Sequence, residues 1–191
     1  MPQGKAVIGQ SGGPTAVINR SLVGFIKEAT KSDFDEILGA KHGLEGMLNE
    51  DFVDLSNLSE AQLYGIGKTP AAALGSVRKK PTDSDIEKLV SIFEQQNIRN
   101  FFYIGGNDSA ETANLVSEGA KSIGILCPSF ISDCLETLEE IDIRGRKTFM
   151  DAGGEKMTYI PCLNESNETV ELLISIVEDA KKFEIKALKT A

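Results

Sequence analysis

Two glycine-rich turns have residues suited to holding a phosphate group. The first glycine turn, residues 10–15, reads QSGGPT and lies between a short apolar run and a stretch of helical period. Glycines let the backbone approach a ligand closely, and a helix start offers unpaired N–H groups to an anion. The turn has neither the G-x-G-x-x-G spacing of dinucleotide sites nor the G-K-S/T of a Walker loop. It predicts a phosphate site, although a tight turn without a ligand fits the same residues.

The second glycine turn, residues 105–109, repeats this arrangement and adds an amide and an acid. It reads GGNDS and follows the apolar run 100–104. Asn107 and Asp108 carry oxygen atoms that could hold a metal ion beside a bound phosphate. Asp108 and Ser109 fit the N-cap of a helix equally well. If the two preceding strands are neighbours, both turns open on one crevice at the carboxyl edge of the sheet.

The elements that position these turns alternate as expected of βα units. Strands are predicted at 5–9, 36–40, 71–74, 100–104, 122–127 and 157–162. Helices are predicted at 15–30, 83–96, 109–121, 132–152 and 167–183, with loops and short helical turns between 41 and 70. The pattern predicts a three-layer αβα sandwich with a mostly parallel, Rossmann-like sheet of about six or seven strands, in a single domain spanning residues 1–191.

Two of the predicted helices carry apolar residues at positions i, i+3, i+4 and i+7. These are Ile86, Leu89, Val90 and Phe93 in one helix and Val170, Leu173, Ile174 and Val177 in the other. This spacing predicts a buried face on each helix.

Composition and charge narrow the classes of function. The chain has 191 residues, of which 41% are hydrophobic and 26% charged, as is typical of a globular domain. A formal net charge of −9 argues against a nucleic-acid partner, because such a partner requires a positive surface. Three cysteines without metal-ligand spacing, no signal-peptide pattern and no long apolar stretch predict a cytoplasmic protein without a membrane span. The sequence leaves the oligomeric state open.

Three segments resemble the phosphofructokinase family in its pyrophosphate-using branch. They read IGQSGGPTAVIN at 8–19, ALGSVRKK at 73–80 and YIGGNDS at 103–109. The resemblance, which covers residues 1–118, implies a small phosphate-containing ligand. The activity it implies is Mg²⁺-dependent transfer of a phosphoryl group from pyrophosphate to fructose 6-phosphate.

The resemblance also implies which residues contact phosphate. These are Gly12, Gly13, Arg78, Gly105, Gly106, Asp108 and Ser109. Gly12 and Gly13 would lie against the transferred phosphate, and Arg78 would pair with phosphate oxygens. Such contacts suit phosphoryl transfer, which depends on positioning and on charge neutralisation. Arg78 fits a solvated charge beside Lys79 and Lys80 as well.

Two positions in the second glycine turn bear on the donor and the metal. Asp108 stands where ATP-using members commonly have glycine, and an aspartate there crowds the α-phosphate of a nucleotide. The implied donor is therefore pyrophosphate. Asn107 stands where many members have an aspartate that helps to bind Mg²⁺. The implied metal ligands are Asn107 and Asp108, with the match at Asn107 incomplete.

The resemblance weakens where the family has its catalytic base. The family reads P-K-T-I-D-N-D at this strand end, whereas residues 128–134 read PSFISDC. Ser132 stands at the position of the base. Asp133 follows it, but a helix turns about 100° per residue, so Asp133 is not an equivalent group. The motifs of the second half of the family are not found. We expect phosphoryl transfer to be impaired, and no catalytic residue is assigned.

A second resemblance begins near residue 120 and extends to about 176. The segments CPSFISDCLETLEEI and YIPCLN resemble the C-terminal end of bacterial ferrochelatase, which inserts ferrous iron into protoporphyrin IX. Glu136 and Glu140 lie four residues apart on a predicted helix, so their carboxylates share a face and could pass a metal ion or a proton. A solvated acidic face that includes Glu139 fits equally. The essential histidine of that family has no counterpart, because His42 belongs to the first resemblance.

The two resemblances meet near residues 115–122, so the chain has the character of a chimera. A fragment that handles metal or porphyrin is one alternative to phosphate binding. A catalytically silent α/β scaffold, designed or fused, is the other.

Overall fold

The computed structural model describes residues 4–12, 17–77, 79–105, 122–127, 130–151 and 153–188. The predicted helix 109–121 and almost all of the junction 115–122 lie outside these ranges.

A four-stranded sheet forms the centre of the first part of the chain. Its strands are β1 (Lys5–Gln10), β2 (Ile37–Ala40), β3 (Phe52–Asp54) and β4 (Ile98–Ile104), in the order β3-β2-β1-β4. β1 pairs in parallel with both β2 and β4, whereas β3 is antiparallel to β2. β1 is buried along almost its whole length, which explains its continuous apolar sequence.

Helices cover both faces of this sheet. They are α1 (Ile18–Ala29), α2 (Leu44–Leu48), α3 (Glu60–Lys68) and α4 (Asp83–Gln95). Successive side chains of a strand point to opposite faces. Val7 therefore joins the core formed with α2 and α4, while Ile8 joins the core formed with α1 and α3. This arrangement confirms the predicted three-layer αβα sandwich with a mostly parallel sheet.

The predicted apolar stripe of α4 is confirmed. Ile86, Leu89 and Phe93 are buried, and Val90 packs against the same core. The helix begins at a capping box, in which the Thr82 hydroxyl accepts from the Asp85 N–H and the Asp85 carboxylate accepts from the Thr82 N–H. The local sequence thus determines both the start and the buried face of α4.

The remaining strands form a separate pair instead of extending the sheet. β5 (Ser122–Leu126) is parallel to β6 (Lys156–Ile160) in a two-stranded sheet. β5 runs beside β4 without sharing a hydrogen-bonded ladder with it. Phe149 is fully buried in a small core with Met157 and Ile125. The predicted single sheet is therefore divided, in the described residues, into four strands and two.

Three helical segments accompany this pair. A π-helical segment (Glu136–Gly145) continues directly into α5 (Arg146–Asp151), and α6 spans Asn167–Leu188. The predicted helix 132–152 therefore starts later than expected. Just before it, the Cys134 N–H donates to the Thr137 hydroxyl in a local side-chain turn.

Two sequence predictions before residue 80 are wrong. Residues 71–74 form a turn and no strand, because the Gly75 N–H bonds back to the Ala72 carbonyl and Gly75 has a φ of +75°. The region 41–70 contains β3 and α3 in place of mainly loops. α3 begins at a capping box between Ser59 and Gln62, a start signal whose significance the prediction missed.

The predicted buried face of α6 is also wrong. Val170, Leu173, Ile174 and Val177 remain 45–53% exposed. Apolar spacing specifies a face that can be buried, but burial requires a second element to pack against it. Only Thr169, in the first turn of the helix, is buried among the described α6 side chains. No helix in the described part of the chain is long and apolar enough to cross a membrane.

Asp133 joins the end of β6 to the start of the π-helical segment. Its carboxylate accepts hydrogen bonds from the Asn164 side-chain amide at 2.7 Å and from the Tyr159 hydroxyl at 2.5 Å. The Thr137 hydroxyl donates to the same carboxylate at 3.1 Å. The bonds from Asn164 and Tyr159 hold the pKa of the Asp133 carboxyl well below its ordinary range. We call these four residues, Asp133, Thr137, Tyr159 and Asn164, the polar knot. Their hydrogen bonds connect the end of β6 to the start of the π-helical segment.

We predict that Asp133→Asn destabilises the fold at neutral pH and reduces the loss of stability in acid. Since the folded-state pKa is lowered, the carboxylate stabilises the fold above its unfolded pKa of about 4 and loses that contribution as the pH falls below it. Urea unfolding at pH 7, 5 and 3 measures the effect. The exposed Glu87→Gln variant on α4 serves as the control. Parallel acid profiles for Asp133→Asn and the unmodified chain would contradict this role.

Candidate functional site

The first glycine turn leaves the central sheet at the end of β1. Gln10, the last residue of the strand, is fully buried, and Gly12 has a φ of +74°. This left-handed conformation favours glycine, because a Cβ would be strained there. α1 follows with Val17 at its N-cap, and the Val17 side chain makes no capping hydrogen bond. The helix therefore begins without the side-chain cap that usually satisfies its N–H groups.

The second glycine turn begins beside the first. β1 and β4 are parallel neighbours, with Gln10 in register with Ile104. The Ser11 N–H donates to the Ile104 carbonyl at 2.8 Å, one residue before Gly105. The expectation that both turns leave the same edge of the sheet is thus met up to Gly12 and Gly105.

A third segment, residues 69–77, reaches the same edge although it has no regular secondary structure. The Ser11 hydroxyl donates to the Val77 carbonyl at 3.1 Å. The Leu74 carbonyl accepts from the His42 N–H at 2.7 Å. Val77 immediately precedes Arg78, so the described part of this segment leads toward the arginine implied to bind phosphate.

Two buried amide side chains hold the 69–77 segment in place. We call Gln10 and Asn19 the amide pair, since the Gln10 Nε2 donates to the Asn19 Oδ1 at 3.1 Å. The Asn19 Nδ2 donates to the Thr69 carbonyl at 2.9 Å and to the Ala71 carbonyl at 2.6 Å. Both residues are 2% exposed or less. These bonds give the two buried amide groups the hydrogen-bond partners that they need.

Tyr103, on β4, packs against the end of β1 and the start of α2. Its hydroxyl accepts from the Leu44 N–H at 3.1 Å, and its ring packs so near Gly9 that a Cβ there would lie 2.8 Å away. Burial raises the pKa of the Tyr103 hydroxyl above its ordinary value, so the group is neutral at physiological pH. Glycine is required at position 9 because the aromatic ring occupies the space of a side chain.

Sequence reasoning missed the amide pair and Tyr103 as parts of this edge. A polar residue at the last position of an otherwise apolar strand was an available signal for Gln10, because a buried carboxamide needs partners. Gln10 bonds to the nearby Asn19, but the groups that the amide pair holds in the 69–77 segment lie 50 or more residues along the chain, and no local signal identified them.

The predicted phosphate residues are only partly described. Gly12 and Gly105 lie at the shared edge as set out above. The others lie outside the described residues, namely Gly13, Arg78, Gly106, Asp108 and Ser109, and so does Asn107, which is predicted as a metal ligand. Within the described ranges, no three His, Cys, Asp or Glu side chains are grouped so as to hold a metal ion. The assignment of Mg²⁺ to Asn107 and Asp108 stays a prediction.

Glu136 and Glu140 are both exposed on the π-helical segment. A hydrogen bond from Cys134 lowers the pKa of the Glu136 carboxyl. Glu140 lies 3.8 Å from Arg144, which also pairs with Glu139 at 2.5 Å. The acidic face is therefore partly neutralised by a neighbouring arginine.

The structure also describes Ser132, which stands at the position that the resemblance gives to the catalytic base. Ser132 is exposed, whereas the neighbouring Asp133 accepts the hydrogen bonds of the polar knot. A general base needs a free lone pair and a pKa near the operating pH. The hydrogen bonds from Asn164 and Tyr159 hold the pKa of the Asp133 carboxyl well below that pH, which supports the sequence-based view that it does not replace the base.

The cysteines near this region are free thiols. Cys127 and Cys162 are buried, and Cys134 is partly buried. Burial raises the pKa of the Cys127 thiol to about 11. A protonated thiol is a poor nucleophile and a poor metal ligand, so Cys127 is a structural residue.

Comparison with known proteins identifies relatives of both parts. The model of the phosphofructokinase family matches residues 5–137. The pyrophosphate–fructose 6-phosphate 1-phosphotransferase of Rhodospirillum rubrum is 43% identical over 130 residues, which cover 66% of this chain and 32% of the relative. A solved pyrophosphate-dependent phosphofructokinase from Marinobacter aquaeolei has a TM-score of 0.57 and 34% identity, covering 63% of this chain and 33% of that protein.

The second part has different relatives. The ferrochelatase family model matches residues 107–181, which overlaps the first match. The ferrochelatase of Opitutus terrae is 51% identical over 67 residues, covering 35% of this chain and 19% of the relative. The chain spans about a third of the length of its phosphofructokinase relatives and about a fifth of this ferrochelatase. Over residues 5–137 the chain belongs to the phosphofructokinase family, and it carries an overlapping ferrochelatase-like segment at residues 107–181.

Proposed function

We propose that this chain binds pyrophosphate, or another small phosphate ester, at the carboxyl edge of the central sheet. The observation that carries the proposal is the position of Ser11. Its N–H donates to Ile104 and its hydroxyl donates to Val77. These bonds bring together the first glycine turn, the strand that enters the second glycine turn and the segment that leads to Arg78.

The chemistry of this edge suits a phosphate anion. Backbone N–H groups at the uncapped start of α1 offer donors and a favourable dipole. A chain with a net charge of −9 needs a local cation to hold a further anion, and Arg78 supplies one at the implied position. Lys79 is less suited to this role, because it already pairs with Asp85 at 3.0 Å.

Magnesium enters this proposal together with pyrophosphate. The resemblance assigns it to Asn107 and Asp108, whose oxygen donors are of the type that Mg²⁺ prefers. When bound, the ion neutralises phosphate charge. The described residues add no acidic cluster at this edge, so we assign no further ligand.

We propose that binding occurs with little or no phosphoryl transfer to fructose 6-phosphate. A sugar hydroxyl needs a base to become an effective nucleophile. Ser132 replaces that base, and the polar knot occupies Asp133. The activity named for the relatives is therefore not expected at a comparable rate.

A second candidate function is suggested by the ferrochelatase-like segment. Glu136 and Glu140 present two exposed carboxylates on one helical segment, as a path for a metal ion or a proton would require. The ion pair between Glu140 and Arg144 weakens this reading. We therefore place phosphate binding first.

We predict that pyrophosphate with Mg²⁺ raises the melting temperature, and that Arg78→Ala removes most of the shift. Ligand at about ten times its Kd adds about 1.4 kcal/mol, which raises the Tm of a chain of this size by roughly 3–6 °C. Differential scanning fluorimetry measures the shift. Lys79→Ala is the matched control, since it removes a neighbouring positive charge, and it should retain the shift. An unmodified chain that does not respond to millimolar pyrophosphate would rule out the phosphate site.

The nature of the donor can be tested at Asp108. We expect the unmodified chain to prefer pyrophosphate over ATP, and Asp108→Gly to bind ATP more tightly by removing crowding at the α-phosphate. Isothermal titration with both ligands and both proteins measures the ratio of affinities. An unchanged ratio in Asp108→Gly would contradict the proposed discrimination.

A spectroscopic titration separates the two candidate functions. We expect protoporphyrin IX to give no saturable change in its Soret band when the chain is added. A saturable change that disappears in the Glu136→Gln, Glu140→Gln double variant would instead favour tetrapyrrole handling. Glu168→Gln, at an exposed position on α6, is the control for a general loss of charge.

A further inference from the structure

The 69–77 segment is held largely by hydrogen bonds from the side chains of Gln10 and Asn19. Residues 69–77 form no strand and no helix beyond the end of α3, so no regular ladder holds them. Their position depends on side chains that reach across from β1 and α1. Asn19 uses both of its N–H groups and both lone pairs of its carbonyl oxygen here, bonding to Thr69, Ala71, Ala73 and Gln10.

Gln10 completes the attachment from the strand. Its Oε1 accepts from the Leu74 N–H at 2.9 Å, while its Nε2 donates to Asn19 and to the Ile18 carbonyl. The backbone N–H groups of Ala73 and Leu74 thus donate to the two side chains of the amide pair. Because both side chains of the amide pair are buried, water cannot readily replace these bonds on their side, and breaking the pair would leave the two amides without partners.

The amide pair is also next to the proposed ligand. Gln10 directly precedes Ser11 and Gly12, and Asn19 lies in the first turn of α1. The attached segment ends at Val77, beside Ser11 and immediately before Arg78. One hydrogen-bonded unit therefore joins the described start of the first glycine turn, at Ser11 and Gly12, to the segment that ends at Val77.

We propose that Gln10 and Asn19 are positioning residues, whose buried amides align the 69–77 segment with the first glycine turn so that both can contact one phosphate ligand. This inference rests on the proposed phosphate-binding function and adds to it. It assigns a binding role to two residues that need not touch the ligand.

Asn19→Ala tests the inference directly. It removes four hydrogen bonds, among them those that tie the Ala73 N–H and the Thr69 and Ala71 carbonyls to the side chain of Asn19. We expect pyrophosphate affinity, measured with Mg²⁺ by isothermal titration, to fall by about tenfold or more. Leu89→Ala, in the core on the opposite face of the sheet, lowers stability without touching the amide pair and should bind within about twofold of the unmodified chain.

Hydrogen exchange in the unmodified chain gives a readout that a merely structural role would not move. Coupling between two sites is reciprocal. If the aligned 69–77 segment increases the affinity for pyrophosphate, bound pyrophosphate in turn stabilises the aligned segment. Pyrophosphate should slow exchange at the Ala73 and Leu74 amides by about the same factor of ten. This measurement also serves if Asn19→Ala does not fold.

Gln10→Glu adds a test by pH. Burial raises the pKa of a carboxyl group, and only the protonated acid can donate to the Asn19 Oδ1 as the amide does. Affinity relative to the unmodified chain should therefore recover as the pH is lowered from about 8 to 5. A ratio that stays constant across this range would count against the proposal.

The outcomes separate the two proposals. If the unmodified chain does not bind pyrophosphate, the proposed function fails, and the binding role of the amide pair fails with it. If the unmodified chain binds but Asn19→Ala binds equally well, or exchange at Ala73 and Leu74 ignores the ligand, the inference alone is overturned. Weakened binding with slowed exchange supports it.

Discussion

The burial of β1 along almost its whole length is the constraint on which the rest of the fold depends. An apolar strand between two parallel neighbours meets this constraint up to Gly9, but the strand ends in Gln10, which is fully buried. A buried carboxamide without partners costs several kcal/mol in an apolar medium, or about 1–3 by mutational measures. The chain supplies those partners from Asn19 and from a segment more than 60 residues away. The core and the candidate site are therefore held by the same set of hydrogen bonds.

In the second part of the chain, hydrogen bonds of a polar side chain likewise join separate elements. Among its described residues, Phe149 and Met157 form a small core and the strands form a pair. Polar contacts add to this core, and Asp133 accepts from three side chains to join β6 to the π-helical segment. The same bonds lower the pKa of the Asp133 carboxyl and so make it a weaker base. At Asp133, the hydrogen bonds that support the fold also lower the basicity that catalysis would require.

The amount of structure that could be predicted differs between local and distant interactions. The stripe and capping box of α4 depend on residues within a few positions of one another, and both are readable from the sequence. Residues 71–74 have apolar character suited to a strand, yet their backbone groups bond to the amide pair, so they form a turn. α6 has an apolar stripe as regular as that of α4, but its residues stay exposed. Periodicity reports what a helix can bury and carries no information about what packs against it.

The sequence by itself determined the layer order, the glycine turns at the strand ends and the relationship to two families, because these depend on local pattern and on motif identity. Only the tertiary structure decided that Ser11 lies between Ile104 and Val77 and that Gln10 and Asn19 support the 69–77 segment. It likewise decided that the six described strands divide into two sheets. These features depend on which distant groups satisfy one another's hydrogen bonds and burial, and local residue patterns do not encode that choice.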